Sequence, residues 1–251
     1  MTSAEDFDRW YADRVESPVA DELVQRMLAL PPDLQSTSLL SGPGLDEVVA
    51  ILDPRPGQVL LDLACGRGGY GLEIVRRTGC GLIGVDFSAV AIEQARQRAV
   101  ELAVEADFQV GQLTDIGLGT ASVDAVMVID AYQFAEPKLD ALRGCLRVLR
   151  PGGRVVITTW EALDPEDDRL PKRMRQVDLA AQLPEAGFTD VEVVDKEQWR
   201  LREKRFWSES LTVDAGADPA MQSMQEEARR VLKGFDLRRR VLARAAAPTR
   251  D

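Results

Sequence analysis

Apolar side chains recur along this chain in two different spacings. In the first part they stand three or four positions apart, as at Phe7, Trp10, Tyr11 and Val15, which predicts an amphipathic helix. Further along, short continuous apolar runs appear, such as residues 59–63, and segments with helical spacing follow them. Such runs are typical of strands that are buried on both faces of a parallel sheet.

These patterns divide the chain into alternating helices and strands. Helices are predicted at residues 5–15, 19–30, 45–52, 71–78, 89–103, 138–149 and 179–186. Strands are predicted at residues 59–63, 81–86, 106–110, 124–129, 154–159, 191–194 and 240–246. This alternation predicts an α/β, Rossmann-like, doubly wound fold with a mostly parallel seven-stranded sheet. Residues 1–251 are expected to form one domain, with residues 200–236 as a helical insertion before the last strand.

The composition narrows the partners that such a fold could have. The 251 residues carry 31 basic and 42 acidic side chains, a net charge of −11, which disfavours nucleic acid because binding it requires phosphate neutralisation. No apolar stretch is long enough to span a bilayer, and the amino-terminal segment is too polar for a signal peptide. The three cysteines show no metal-binding spacing. A cytoplasmic protein without membrane or metal partners is expected, and its oligomeric state stays open.

Two further features of the composition concern proton transfer and the exposure of one predicted strand. No histidine is present, so any proton transfer must fall to a carboxylate, a tyrosine, a lysine or water. The basic run Arg238, Arg239 and Arg240 is interpreted as a solvated strand edge that discourages aggregation.

A glycine-rich segment follows the first predicted strand and opens a helix. Residues 66–71 fit the pattern G-x-G-x-x-G, and Asp86 stands 20 residues after Gly66, as in sites where helix amides hold a dinucleotide pyrophosphate. Asp62 argues against that ligand because its carboxylate would repel a pyrophosphate. S-adenosylmethionine (SAM) suits both signs of charge: the loop amides fit its carboxylate, Asp62 its amino group, and Asp86 its ribose hydroxyls.

Five segments in order then carry a family resemblance. They are residues 61–68 (LDLACGRG), 84–88 (GVDFS), 110–113 (VGQL), 124–130 (DAVMVID) and 146–153 (LRVLRPGG). Together they resemble the class I SAM-dependent methyltransferases, particularly bacterial enzymes that act on small molecules and natural products. The resemblance covers about residues 30–195 well and the rest loosely.

The resemblance implies a set of cofactor-binding residues. Asp86 would bind both ribose hydroxyls, Phe87 would lie along the adenine, and Asp130 would stand beside the methionine part of SAM. Ala64 replaces the first glycine of the family's first motif, and Gln112 replaces the acid that usually takes the adenine amino group. The full set is Asp62, Ala64, Cys65, Gly66, Gly68, Asp86, Phe87, Ser88, Gly111, Gln112, Leu113 and Asp130.

The resemblance also implies where an acceptor would bind. The helix that carries Trp10 and Tyr11 corresponds to a helix that folds over the cofactor in related enzymes, so residues 1–45 are expected to form a helical lid. Together with residues 200–236 they would build an apolar acceptor pocket. Glu161 is the hypothetical base, and Gln133 and Tyr11 would position the acceptor.

Methyl transfer from SAM to a small organic acceptor, with S-adenosylhomocysteine as product, is the function expected from this set. Three alternatives stay open. A SAM-binding cyclase of a natural-product pathway would need no base, since a shaped pocket suffices for a pericyclic reaction. A non-catalytic SAM-binding protein and a nicotinamide-dependent oxidoreductase are the other two.

Overall fold

The computed structural model describes residues 4–15, 17–36 and 38–249, which contain one seven-stranded sheet. The strand order is β3-β2-β1-β4-β5-β7-β6. All pairings from β3 to β5 are parallel, and β7 runs antiparallel to both of its neighbours. The strands are β1 Val59–Leu63, β2 Gly81–Asp86, β3 Asp107–Val110, β4 Val123–Ile129, β5 Leu149–Ala162, β6 Thr189–Asp195 and β7 Arg238–Ala246. The predicted mostly parallel α/β sheet is confirmed.

Helices connect the strands and extend the chain at its amino-terminal side. They are α1 Ala4–Val15, α2 Pro18–Leu28, α3 Gly42–Leu52, α4 Gly69–Thr78, α5 Ala89–Glu101, α6 Lys138–Val148, α7 Lys172–Arg175, α8 Leu179–Ala186, α9 Glu197–Ser210 and α10 Pro219–Lys233. The insertion before β7 is therefore two helices, α9 and α10. The prediction did not include the short helix α7, and it started β5 five residues too late.

The helix ends follow local capping chemistry. The Ser41 hydroxyl accepts a hydrogen bond from the Gly44 N–H and Pro43 occupies the first turn, so α3 begins three residues before the predicted start. Ser17 caps α2 in the same way, through the Ala20 N–H. Sequence periodicity alone does not register such caps because the capping positions are polar or glycine.

The two faces of the sheet are covered by different helices. Leu60 belongs to a core that includes apolar residues of α2, α3, α4 and α5, whereas Leu61 and Leu63 belong to a second core with α6 and α8. Successive residues of a strand point to opposite faces, so Asp62 shares the face of Leu60. This alternation decides which side chains of neighbouring strands can meet at the carboxyl-terminal edge of the sheet.

The position of β7 corrects one expectation. β7 lies between β5 and β6 and pairs with both, so the basic run at its start is not a solvated sheet edge. Arg240 is 0% exposed and Arg238 is also buried, and only Arg239 is partly exposed. The positive charges of Arg238, Arg239 and Arg240 are instead neutralised by buried carboxylates.

The hydropathy of the helices and the state of the cysteines are two further properties of the fold. In the part of the chain that the structure describes, no helix combines the length and the hydropathy needed to cross a membrane. Cys65, Cys80 and Cys145 are free thiols.

Candidate ligand-binding site

The carboxyl ends of β1, β2 and β4 meet at one edge of the sheet, where open α/β sheets bind ligands. After β1 the chain turns sharply: the N–H groups of Ala64 and Cys65 both donate to the Val85 carbonyl, at 2.7 and 3.0 Å. Ala64 has a φ of 63°, a left-handed conformation that costs a residue with a Cβ roughly 1 kcal/mol. Gly68 also has a positive φ, and a Cβ there would lie 2.9 Å from the ring of Phe108. The loop is thus held tightly against β2.

Asp86 anchors this loop from the end of β2. Its carboxylate accepts the Gly66 N–H at 2.8 Å and the Ser88 N–H at 2.9 Å, and only 4% of the residue is exposed. Burial raises the pKa of Asp86 and the charge of Asp8 adds to the effect, while hydrogen bonds from backbone amides oppose it. The carboxylate therefore fixes the loop and still has lone pairs for a ligand.

Asp62 is buried on the neighbouring strand, with 3% of the residue exposed. Burial, together with the charge of Asp86, raises its pKa to about 7, although a backbone hydrogen bond from Gly71 lowers it. A Cβ at Gly71 would lie 2.9 Å from the carboxylate, so only glycine allows α4 to approach this acid so closely. Among the described residues, neither Asp62 nor Asp86 has a basic partner. A ligand that brings a cation and hydroxyl groups would satisfy both.

The segment after β3 lies beside Asp86. The N–H of Gly111 donates to the Asp86 carbonyl at 3.0 Å, and a Cβ at Gly111 would lie 2.7 Å from a Val85 methyl group. Gln112 is exposed and Leu113 is half-buried. The structure thus brings the three predicted residues of this segment to the edge that Asp86 occupies.

Cys65 belongs to the loop but offers no reactive thiol. Burial raises its pKa well above the usual value, and the charges of Asp62 and Asp86 raise it further. The Sγ atom packs near Gly84 and its neighbour Phe108. A neutral thiol that fills space is the role that this environment supports.

Helix α1 covers the crevice. Phe7 packs edge-on against Phe87 at the end of β2, with ring centroids 5.1 Å apart, and against Phe134 beyond β4, at 5.7 Å. Asp8 accepts a hydrogen bond from the Ser88 hydroxyl and a longer one from the Val90 N–H. The sequence predicts a lid here but does not single out Asp8, because one acid among the polar positions of an amphipathic helix carries no distinguishing pattern.

The glycine loop is tied to a second helix of the same region. The Arg67 guanidinium is buried and pairs with Asp21 of α2, at 2.9 and 3.3 Å. The Ser17 hydroxyl donates to Asp218 at the start of α10, at 2.6 Å. The loop, the amino-terminal helices and the insertion are therefore joined by polar contacts.

Asp130 ends β4 with a left-handed φ of 56°, and its carboxylate is saturated within the protein. One oxygen accepts the Ser38 hydroxyl at 2.6 Å and the Leu39 N–H at 3.1 Å. The other accepts the Thr158 hydroxyl at 2.7 Å, and Arg240 donates to both oxygens at 2.7 Å. Burial by itself would raise the pKa of Asp130, but the Arg240 charge and these hydrogen bonds hold it below its usual value.

This saturation leaves only the backbone groups of Asp130 for the cofactor contact expected of it, which stays a prediction. A carboxylate has about four lone-pair positions, and protein donors already use those of Asp130, so the side chain is not available to the methionine part of SAM. The residue instead links the segment after α2 to β5 and β7.

Arg240 is the centre of a buried network that sequence reasoning missed. Besides Asp130 it donates to Glu203 of α9 at 3.2 Å, and its guanidinium lies 4.5 Å from the centre of the Trp160 ring. Glu203 also accepts from the Trp160 indole at 2.7 Å and from Arg238 at 2.9 Å. The signal was present in the alternation of β7, since Arg238 and Arg240 point to the opposite face from Arg239.

The structure does not bring the three predicted catalytic residues together at the crevice. Glu161 accepts the Leu179 N–H at 2.9 Å and pairs with Arg239 at 2.7 Å, so it faces the α8 layer and both oxygens are occupied. The Gln133 amide donates to the Asp130 carbonyl and accepts from Thr159. We therefore correct both assignments: these side chains hold the protein together and do not face a reacting group.

Tyr11 is buried in α1, and its carbonyl accepts a hydrogen bond from Gln94 of α5 at 3.2 Å. Its ring packs edge-on against Trp10, with centroids 5.1 Å apart. This placement packs Tyr11 between α1 and α5, and its expected role in positioning an acceptor stays a prediction.

One described cavity lies elsewhere, between α2 and the segment after α9. It has a volume of about 600 Å³ and is lined by residues such as Val19, Leu23, Leu30 and Val213. None of its lining residues belongs to the strand ends, so it is not the crevice above.

Known proteins share both the sequence pattern and the fold. A family model of the methyltransferase domain matches residues 60–153. Sterol 24-C-methyltransferase ERG6 of Saccharomyces cerevisiae is 30% identical over 141 residues, which cover 54% of this chain and 37% of that protein. Residues 60–153 are therefore similar to the methyltransferase domain that this family model describes. The matched regions span only 32% to 37% of the length of the first three curated relatives.

Solved structures show the same fold at low sequence identity. Phosphoethanolamine N-methyltransferase 2 of Haemonchus contortus, in complex with S-adenosyl-L-methionine, has a TM-score of 0.75 and 19% identity, and the match covers 100% of this chain and 61% of that one. The (4+2)-cyclase SpnF has a TM-score of 0.69 and 21% identity, with 82% and 80% of the two chains covered. At these identities the similarity concerns the fold.

Proposed function

We propose that this chain binds SAM in the crevice at the ends of β1 and β2 and transfers its methyl group to a small organic acceptor, leaving S-adenosylhomocysteine. The observation that carries the proposal is the pair Asp62 and Asp86. They are two buried carboxylates on adjacent strands without a basic partner among the described residues. Burying a carboxylate without a partner is costly, and the ammonium and ribose hydroxyls of SAM would relieve that cost.

The residues around this pair suggest how SAM would be held. Asp86 would accept the ribose hydroxyls, and each such charge-assisted hydrogen bond is worth about 1.5–3 kcal/mol. The loop amides near Gly66 and Gly68 would receive the carboxylate, and Asp62 the amino group. Other members of the proposed set surround the adenosine and the loop: Ala64, Cys65, Phe87, Ser88, Gly111, Gln112 and Leu113.

The proposed transfer is an in-line displacement. The acceptor atom forms a bond to the methyl carbon while the carbon–sulfur bond breaks and its electron pair stays on sulfur. Holding the two reactants in line supplies on the order of 7–11 kcal/mol of the barrier reduction. In this chain α1 would exclude water from the crevice, since Phe7 contacts the ends of two strands at once.

The acceptor is proposed to be a modest-sized organic molecule of natural-product type. The lid and the insertion contribute apolar residues to the large core, such as Phe206, Met221 and Met224, and the net charge of −11 disfavours nucleic acid. We also propose that residues 1–251 act as one SAM-binding domain in the cytoplasm, since the three cysteines are free.

A methyl-transfer assay tests the proposal. Methyl-labelled SAM is incubated with the protein and a panel of small acceptors, and labelled product and S-adenosylhomocysteine are quantified. Equal amounts of both are expected, and Asp86→Asn should reduce SAM affinity at least about tenfold because one charged acceptor is lost. Asp107→Asn, on the exposed start of β3, is the matched control. Absence of SAM binding in a calorimetric titration would refute the proposal.

A cyclase that binds SAM without transferring its methyl group is the second candidate. The observation that favours it is the engagement of Glu161 and Gln133 in structural hydrogen bonds, in a chain without histidine. The same assay discriminates, since a cyclase gives product without S-adenosylhomocysteine. If neither a methylated nor a cyclised product forms, the protein is a binding module. Tighter binding of NAD than of SAM would indicate an oxidoreductase.

A further inference from the structure

Arg173 lies at the outer side of the covered crevice without an anionic partner. It belongs to α7, and its guanidinium lies over the ring of Phe134, 5.1 Å from the centroid. Its Nε atom is buried and has no hydrogen-bond partner, and none of the described residues forms an ion pair with it. The side chain is half-buried, so the unmet charge is sheltered from bulk water.

The position of Arg173 is fixed by its neighbours. Met174 is buried in a small apolar cluster with Trp160 and Leu170. Arg175 donates to the Leu170 carbonyl at 3.2 Å. Of the two arginines in this short helix, one therefore has a structural partner and Arg173 does not.

The ring under Arg173 connects it to the proposed SAM crevice. Phe134 follows β4 and is 40% exposed, and its other neighbour is Phe7 of α1, which reaches Phe87 at the end of β2. The three rings form a row that runs from the side of the proposed adenosine site to Arg173. The guanidinium therefore terminates the row on the side of β4, where an acceptor would enter beside the lid.

The charges around Arg173 add to the need for an anion. Burial lowers the pKa of Arg173, the positive charge of Arg230 lowers it further, and Glu227 opposes them. Glu227 already pairs with Arg230 at 3.8 Å. In a chain with 42 acidic residues, this half-buried arginine is influenced by the charge of another cation, Arg230, and forms no ion pair among the described residues.

We propose that Arg173 anchors the acceptor, which carries an anionic group, a carboxylate or a phosphate, next to an apolar part that lies against Phe134. The assignment rests on the proposed function, because it names the acceptor class of the same site. Arginine binds both anions in a bidentate manner, and Phe134 supplies the apolar surface. Arg230 would strengthen the attraction without touching the ligand.

Binding of three small probes tests the assignment. Benzoate, phenyl phosphate and neutral benzyl alcohol are titrated by NMR into the protein, with and without saturating S-adenosylhomocysteine. We expect at least one anion to bind roughly tenfold or more tightly than benzyl alcohol, and the tighter anion identifies the group. Arg173→Gln should remove the preference and Arg173→Lys should keep part of it. Arg169→Gln, which removes an exposed arginine of the preceding segment, is the matched control.

The outcomes separate the two proposals. Equal affinity for all three probes, no anion binding at millimolar concentration, or an unchanged preference in Arg173→Gln would each overturn the role of Arg173. S-adenosylhomocysteine binding is measured on the same samples and should not differ between Arg173→Gln and the parent. If the parent protein does not bind S-adenosylhomocysteine, the proposed function fails. The probe titrations in the absence of S-adenosylhomocysteine still decide the anion preference.

Discussion

Asp62 shows how one side chain links stability to ligand binding. Its folded-state pKa is about 7 because it is buried near Asp86, whereas an aspartate in an unfolded chain titrates near 4. Between these values the folded state binds more protons, so this residue makes stability fall as the pH rises through that window. Above it, the charged carboxylate destabilises the ligand-free fold.

We therefore predict that Asp62→Asn stabilises the ligand-free protein at about pH 8, by about 1–3 kcal/mol, and does so much less at about pH 5. Urea unfolding at both pH values measures the difference. The same substitution should weaken SAM binding, because the proposed partner of its amino group is lost. An Asp62→Asn protein that is less stable at both pH values would contradict the prediction.

At the scale of single residues, the structure brings together the acids and the glycine loop that the sequence analysis placed in one site. Asp62, Gly66 and Asp86 lie together because strand ends of a parallel sheet meet at one edge. Glu161 failed for a geometrical reason: side chains alternate along β5, so Trp160 shares the face of Asp130 and Glu161 does not. Proximity along the chain to the end of β5 does not determine the face of the sheet on which a side chain lies.

Among the elements, α1 contacts the edge of the crevice through the ring of Phe7. Phe7 packs against Phe87, which follows β2, and against Phe134 in the segment after β4, and aromatic pairs of this kind are each worth about 0.5–1.5 kcal/mol. We predict that Phe7→Ala speeds the dissociation of S-adenosylhomocysteine about three- to tenfold, measured by stopped flow. Arg9→Ala on the exposed side of the helix should leave the rate unchanged. Equal rates in both variants would show that α1 does not cover the ligand.

The buried network of Arg240 makes a second prediction at this scale. Arg240→Met leaves Asp130 and Glu203 without their shared cation, and breaking a buried ion pair from one side costs about 3–5 kcal/mol. Arg244→Met is the control on the same strand, where both partners are half-exposed and the cost should stay below about 1 kcal/mol. Urea unfolding compares the two variants. Similar losses of stability would contradict the prediction that Arg240 contributes more to stability than Arg244.

The sequence predicted all seven strands and most of the longer helices, because each carries a periodic apolar pattern. It could not place β7 between β5 and β6, since pairing between β5 and β7 joins segments about 80 residues apart and leaves no local trace. For that reason the interpretation of the arginine run at residues 238–240 as a solvated strand edge was wrong. Interior strands with charged residues are recognised only when their partners on other elements are known.

For the whole molecule, ligand binding and stability are coupled. The proposed ligand contacts the loop, the sheet edge and the lid, which exist together only in the folded state. Saturation with S-adenosylhomocysteine at about 100 times its Kd should add about 2.7 kcal/mol, which raises the Tm by roughly 5–10 °C for a chain of this length. Thermal denaturation measures the shift. Asp86→Asn, with affinity reduced about tenfold, should show about half of this shift or less at the same concentration, and an equal shift would count against the site.

The place of β7 also orders events during synthesis. A ribosome delivers β5 and β6 before the strand that joins them, so the nascent chain carries two unpaired strand edges, which are prone to wrong pairing. For the same interval Asp130 and Glu203 lack Arg240, their common cation. The buried carboxylates of Asp130 and Glu203 therefore gain this cation only after β7 has been synthesised and paired with β5 and β6.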